Sequence, residues 1–344
     1  MIHFLERDCR KDEPNFEETC GSFSVIQNTL RKELRKMGKY SENPDDADFV
    51  GIADSLSLNF KYKNKPSFVI TFIDNINTIS HLQKHLYNNN KGVKLFSINQ
   101  HTADTYSKYN IPCKVIGPGI DTEYWTQTRP KNDTFTFLSN GFSNHRSGID
   151  QLLQAYSLAF DNSQTVQLII KDTSNSEKFK ETIKYYTQKG CNIKYISERW
   201  TFSEIRNLYS KSHVFCSIFR HSGHGLGLGE SSLCGCFVLA GDFDPSNKLV
   251  YENGKLLKPT KEIEIYKNIQ KLKTIGLTDT FGQLFYFEEP KFYEYDIDEY
   301  ANLLLDVYQN WDKKYSKINT KLPVIKNWDN KKSAENLIGG LLEV

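Results

Sequence analysis

Short apolar runs alternate along this chain with longer stretches in which apolar side chains return every three or four positions. That is the pattern of buried strands followed by amphipathic helices. Residues 1–5 read as a first strand. After a polar stretch ending at Cys20, Gly21-Ser22 opens a helix with Phe23, Ile26, Leu30 and Leu34 on one face, and Gly38 ends it. Residues 48–53, 67–72 and 94–98 are further strands, each followed by turn or helix signals. A short strand at 114–116 runs into Gly117-Pro118-Gly119, a chain break. Beyond it a second series begins, with strands at 134–138, 166–170, 192–196, 214–218 and 237–240. Helices read at 149–160, 177–188 and 202–210. Residues 328–342 make a last helix with Ala334, Leu337, Leu341 and Leu342 as its apolar side. Residues 255–300 are charged and aromatic and give no clean period. Strands and helices in alternation predict an α/β protein of two Rossmann-like, doubly wound domains. The hinge falls near 118–131. The expected division is 1–125, with a closing helix at about 328–344 packing back on it, and 126–327.

Composition narrows the partners. The chain has 344 residues, a length suited to two domains, and 38% hydrophobic with 25% charged residues excludes a disordered chain. Lys+Arg number 44 against 42 Asp+Glu, a net charge of +2, so no global field holds a polyanion and nucleic acid is not the expected partner. No apolar run approaches the ~18 residues that span a bilayer, so no integral membrane segment is expected. Seven cysteines, an odd number, with no export pattern over residues 1–10, predict free thiols in a reducing cytoplasm. Cys234 and Cys236 have no second pair at zinc spacing and read as small buried residues. Asp242-Phe243-Asp244 has the form of an acidic metal-holding pair, but it follows a late strand and reads as a loop.

In a parallel sheet, ligands bind at the carboxyl ends of the strands. The richest stretch there is HSGHGLGLGESSLCGCFVLAGD, His221 to Asp242. Gly223, Gly225, Gly227 and Gly229 alternate immediately before Glu230. Glycines let backbone approach a ligand closely, the helix that follows offers unpaired N–H groups to an anion, and a carboxylate just inside it suits a ribose diol. The plain alternative is a tight loop without a ligand. A dinucleotide fingerprint follows the first strand of its domain, and this one comes late, so a dehydrogenase is not expected.

The order of these features resembles the retaining nucleotide-sugar glycosyltransferases of family 4, which have the GT-B fold of two Rossmann-like domains facing a central cleft. The family's glycine loop, acidic residue, small-residue helix, glycine and apolar strand appear as Gly223-His224-Gly225, Glu230, residues 231–234, Gly235 and Phe237-Val238-Leu239-Ala240. Gly21-Ser22 resembles the N-terminal phosphate loop. VIGPGIDTEYW, from Val115 to Trp125, resembles the interdomain segment. Residues 135–155 resemble the first strand-loop-helix of the second domain, and Asn327-Trp328 before Ser333-Ala334 the closing helix.

The resemblance implies transfer of a hexose from a nucleotide diphosphate sugar to a carbohydrate or glycan acceptor hydroxyl, with retention, with no metal and no cofactor. GDP-mannose stands ahead of UDP-hexoses on family usage, and a homodimer stays open. Arg146 and Lys171, the latter following the run 166–170, would grip the diphosphate. Ser222, Gly223, His224, Gly225, Leu226 and Gly227 would line the donor sugar and phosphate, and Glu230 the ribose. Gly21, Ser22, Asp74 and His101 would serve from the N-terminal domain, and Arg199 and Trp200 would face the base. Each also has a plain reading: Arg146 and Lys171 as solvated charges, Ser22 as a helix cap, Trp200 as core. Three positions depart from the pattern. The family's first acidic residue, eight positions before Glu230, is Ser222; the loop lysine is Ser147; and the histidine ending the third strand is Ile73. These departures motivate a second reading, a nucleotide-sugar-binding protein with impaired turnover.

Overall fold

The computed structural model describes residues 1–5, 22–54, 58, 60–71, 87–88, 92–141, 145–160, 165–172, 174, 176–222, 225–243, 247, 250, 253–264, 291–318 and 329–343. They form two compact units. One comprises 1–124, 283–290 and 322–344, and the other 125–282 and 291–321.

The first unit is a parallel sheet of the short apolar runs. Its strands β1 (Ile2–Phe4), β2 (Phe49–Ala53), β3 (Ser67–Thr71), β4 (Lys94–Ser97) and β5 (Cys113–Val115) lie side by side in that order. All five residues of β3 are buried, as a strand covered on both faces must be. Helix α1 (Ser22–Lys36) turns Ile26, Leu30 and Leu34 inward, and α2 (Gln100–Ser107) follows β4. The last helix of the chain belongs to this unit. It is capped by Asp329, whose side chain accepts from the Lys332 N–H, and it buries Ala334, Leu337 and Leu341. Its end is fixed by Lys94, whose ammonium donates to the carbonyls of Leu341 (2.8 Å) and Glu343 (2.7 Å), a cation at the helix's negative end. At Gly51 a Cβ would stand 2.2 Å from the Phe68 ring. Gly51→Ala should therefore cost about 1–3 kcal/mol through displacement of that ring. Thermal unfolding tests it, and an unchanged Tm would mean that the ring swings aside freely.

The second unit has a six-stranded parallel sheet. Its strands are β6 (Phe135–Gly141), β7 (Val166–Asp172), β8 (Ile193–Ile196), β9 (Val214–Ser217), β10 (Phe237–Gly241) and β11 (Gly254–Leu257), in spatial order β11-β10-β9-β6-β7-β8. This is the doubly wound order in which the first strand lies centrally, and it puts the topological switch point between β6 and β9. One face packs Phe137, Leu168, Ile170 and Leu239 against α3 (Ile149–Ala159) and α7 (Ile297–Gln309). Between these helices in the chain come α4 (Glu177–Gln188), α5 (Phe202–Lys211) and α6 (Leu226–Leu233). A small antiparallel pair, β12 (Lys261–Glu264) with β13 (Lys291–Glu294), completes the described unit. The final helix of the first unit (Asn330–Leu342) is α8.

No helix among the described residues is long and apolar enough to cross a membrane. Cys234 and Cys236 are fully buried free thiols. No cluster of metal-ligating side chains occurs among the described residues; Asp244 lies outside them, and Asp242 accepts a hydrogen bond from Asn247.

Candidate active site

The carboxyl ends of β6, β7 and β9 gather most of the described residues expected to act. Helix α6 begins at Gly225, which has φ +78° and holds the helix start without a side-chain cap. The carbonyl of Gly225 accepts from the Leu228 N–H at 2.9 Å. The N–H groups of Leu226 and Gly227 open the helix, where no preceding turn can accept from them. Ser222 is buried, its Oγ 3.7 Å from where a Cβ on Gly225 would lie. Gly227 is needed for closeness of a different kind, since a side chain there would meet the Tyr209 hydroxyl at 3.2 Å and the Phe215 ring at 3.3 Å.

Tyr209 leads to the cation of the site. Its hydroxyl accepts from Asn140 Nδ2 at 3.0 Å, and Asn140 is the register partner of Lys171 on β7. The strand runs to Asp172, so Lys171 lies within it rather than capping it in water. Pleating turns Lys171 away from the core face that takes Leu168 and Ile170. It is 1% exposed, and its Nζ has no hydrogen-bond partner among the described residues. The Nζ lies 5.9 Å from the centre of the Trp200 ring. Burial pulls the Lys171 pKa down, and the charges of Asp172, Glu198 and Glu204 oppose that only in part. Among the described residues no carboxylate pairs with this ammonium at contact distance.

Glu230 stands in α6, half-buried, and desolvation pushes its carboxyl pKa up to about 8. Burial above all raises the pKa of Tyr209, and the charge of Glu230 adds to it. Arg146 belongs to the single turn His145–Ser147 that follows β6. It is half-buried, and its carbonyl accepts from the Arg220 N–H at 2.9 Å. Arg199 is exposed, and Trp200 is half-buried. Trp200 also lines a groove of about 540 Å³ together with residues of α5, β7 and β8.

Gly227 and Asn140 thus meet at Tyr209, Ser222 stands by Gly225 at the start of α6, Lys171 is the register partner of Asn140 and lies near Trp200, and Arg146 is joined to Arg220. His101 is the second residue of α2, half-buried at the carboxyl end of β4 in the first unit, and Ser22 starts α1 there. Gly21, Asp74, Gly223 and His224 lie outside the described residues. Sequence reasoning missed Tyr209, Asn140 and Arg220. Asn140 and Arg220 both sit where parallel strands end, and that position alone could have marked them.

Residues 121–277 match the family model of glycosyl transferases, group 1. The fold is shared more widely. A glycosyltransferase from Rickettsia africae superposes with a TM-score of 0.61 at 14% identity, over 98% of this chain and 83% of that one. Alr3699/HepE from Anabaena, solved with UDP-glucose, gives a TM-score of 0.65 at 16% identity over 98% and 99% of the two chains. The sucrose-phosphate synthase of Thermosynechococcus elongatus gives 0.59 at 14% identity over 92% and 77%. Among curated protein sequences nothing matches. The chain therefore has the α/β fold of GT-B glycosyltransferases.

Proposed function

We propose that this protein is a cytoplasmic glycosyltransferase that moves a hexose from a nucleotide diphosphate sugar to a glycan hydroxyl with retention of configuration. The observation that carries the reading is the glycine-led start of α6, linked through Tyr209 and Asn140 to β7 at Lys171, a buried lysine with no hydrogen-bond partner among the described residues. Cleaving a glycosyl–phosphate bond leaves negative charge on the diphosphate and positive charge on the sugar, and both are met by prearranged electrostatics. Lys171, Arg146 and the N–H groups of Leu226 and Gly227 would take the diphosphate. Glu230 would take the ribose, Ser222 with the glycine loop the sugar, and Trp200 with Arg199 the base. Gly21, Ser22, Asp74 and His101 would act from the N-terminal domain. These groups neutralise the leaving charge without a metal, and front-face departure lets a phosphate oxygen assist deprotonation of the acceptor. No protein nucleophile is called for.

Family usage puts GDP-mannose forward as donor. A structural neighbour solved with UDP and glucose supports UDP-hexoses equally. The test incubates the protein with GDP-mannose and UDP-glucose in EDTA and follows release of the nucleoside diphosphate. Slow release from one donor is expected. Tight binding without any release would favour the second reading, a nucleotide-sugar-binding protein, for which Ser222 in place of an acid is the motive. Absence of binding to either would sink both.

A further inference from the structure

The most heavily engaged side chain near the candidate site belongs to none of the expected residues. Arg220 follows β9, is 3% exposed, and spends its guanidinium on two carboxylates. Nη1 and Nη2 donate to the two oxygens of Asp150 at 2.6 and 2.7 Å, a bidentate pair at the first turn of α3. Nε and Nη2 donate to Glu294 of β13 at 2.7 and 3.3 Å. Glu294 is further held by Gln151 Nε2 at 2.6 Å. The main chain of Arg220 repeats the pattern: its N–H donates to Arg146, and its carbonyl accepts from the Tyr293 N–H at 2.9 Å. The Tyr295 hydroxyl donates to the neighbouring Phe219 carbonyl. Gly148, at φ +64°, allows this docking, because a Cβ there would stand 2.6 Å from the Ile218 carbonyl oxygen.

Three segments therefore converge on one residue: the Arg146 turn with the start of α3, strand β13, and the stretch that leads through His221 to Ser222 and Gly225. His221 adds a flat contact, stacked against Phe243 and Phe292. Burying one guanidinium with two carboxylates is a poor way to gain stability, since desolvation consumes most of the attraction. What such a fork supplies is angle and distance. A planar group with fixed donors sets the direction of each partner, which an ammonium cannot do.

We propose that Arg220 is a positioning residue of the donor site, fixing where the glycine-led helix α6 stands relative to the Arg146 turn and α3. The proposal rests on the donor site assigned above. It acts through Arg146, Ser222 and Gly225 and touches no substrate itself.

The test compares wild type with Arg220→Lys and Glu294→Gln. Three quantities are measured: donor KM and kcat, thermal unfolding, and amide hydrogen exchange without donor. Arg220→Lys should raise donor KM about 10- to 100-fold with a smaller change in kcat, the cost of misplacing binding groups by about an ångström. Exchange should quicken at 146–152 and 225–228 while β7 and β8 keep wild-type protection. Glu294→Gln should show the same pattern, weaker. An unchanged KM, or quickening spread evenly over the whole second unit, overturns the proposal. Local quickening in a protein that turns over no donor would keep the positioning role and overturn the donor assignment instead.

Discussion

Lys171→Met should remove most turnover and at the same time raise the melting temperature. The two effects have one cause. The Lys171 ammonium is 1% exposed, has no hydrogen-bond acceptor among the described residues, and has its pKa pulled down by burial. Keeping it there opposes folding, because the charged form has left water without gaining a partner. Methionine fills similar volume without the charge, so the folded state should gain about 1–2 kcal/mol, or a few degrees in Tm for a unit of this size. On the donor assignment proposed above, the group that meets the diphosphate is this ammonium. With it gone from the design, transition-state stabilisation should fall by about 10²–10³ in kcat, as when a preorganised donor is removed from a site that develops negative charge. Differential scanning calorimetry and donor turnover on the same preparation check both halves. A Tm that falls would make Lys171 a packing element. Unchanged turnover would make it a bystander.

The legible part of this molecule was the part governed by period. Strands at 67–72, 94–98 and 237–240 appear within a residue or two of where the apolar runs put them, and the helix read at 177–188 is α4. Burial on both faces leaves an unbroken apolar run, and a run can be counted. Where a polar residue ends the run but not the strand, counting fails. β7 continues through Lys171 and Asp172 because the ladder to Asn140 and Gly141 goes on pairing backbone groups whatever the side chains are. Helix α7 went unread for a related reason. Asp296 caps it, its side chain accepting from the Glu299 N–H, and Tyr300, Leu304 and Val307 recur at helical spacing. That signal was diluted by the charged, aromatic stretch before it. Among the site residues, the glycine run was visible because glycine is a backbone statement. Arg220 was invisible because its partner Glu294 is 74 positions away and a polar pair has no period. The same holds for Asn140 and Tyr209, 69 positions apart.

Donor binding should release about one proton at pH 7, and Glu230→Gln should abolish that release together with most of the affinity. Burial raises the Glu230 carboxyl to about 8, against 4.5 for an ordinary glutamate, so the free protein holds it protonated at neutral pH. A ribose diol donates two hydrogen bonds, and only the carboxylate can accept both. Hydrogen bonds to the charged form pull the pKa down, so the bound state should be ionised. Isothermal titration in two buffers of different ionisation enthalpy counts the proton directly. Stability gives an independent check, with its own sign. Between pH 4.5 and 8 the unfolded chain gives up this proton while the folded one keeps it, so the group's contribution is fully present below 4.5 and is lost as pH rises through 8. With the residue half-buried and solvent screening allowed for, the loss is about 2 kcal/mol. Glu230→Gln should flatten that slope in thermal unfolding of the donor-free protein between pH 5 and 9. A mutant that keeps the wild-type slope would mean the carboxyl is not buried enough to titrate late. A mutant that loses the slope but binds donor as tightly as wild type would separate the buried carboxyl from the ribose and leave Lys171 and the start of α6 to hold the nucleotide without it.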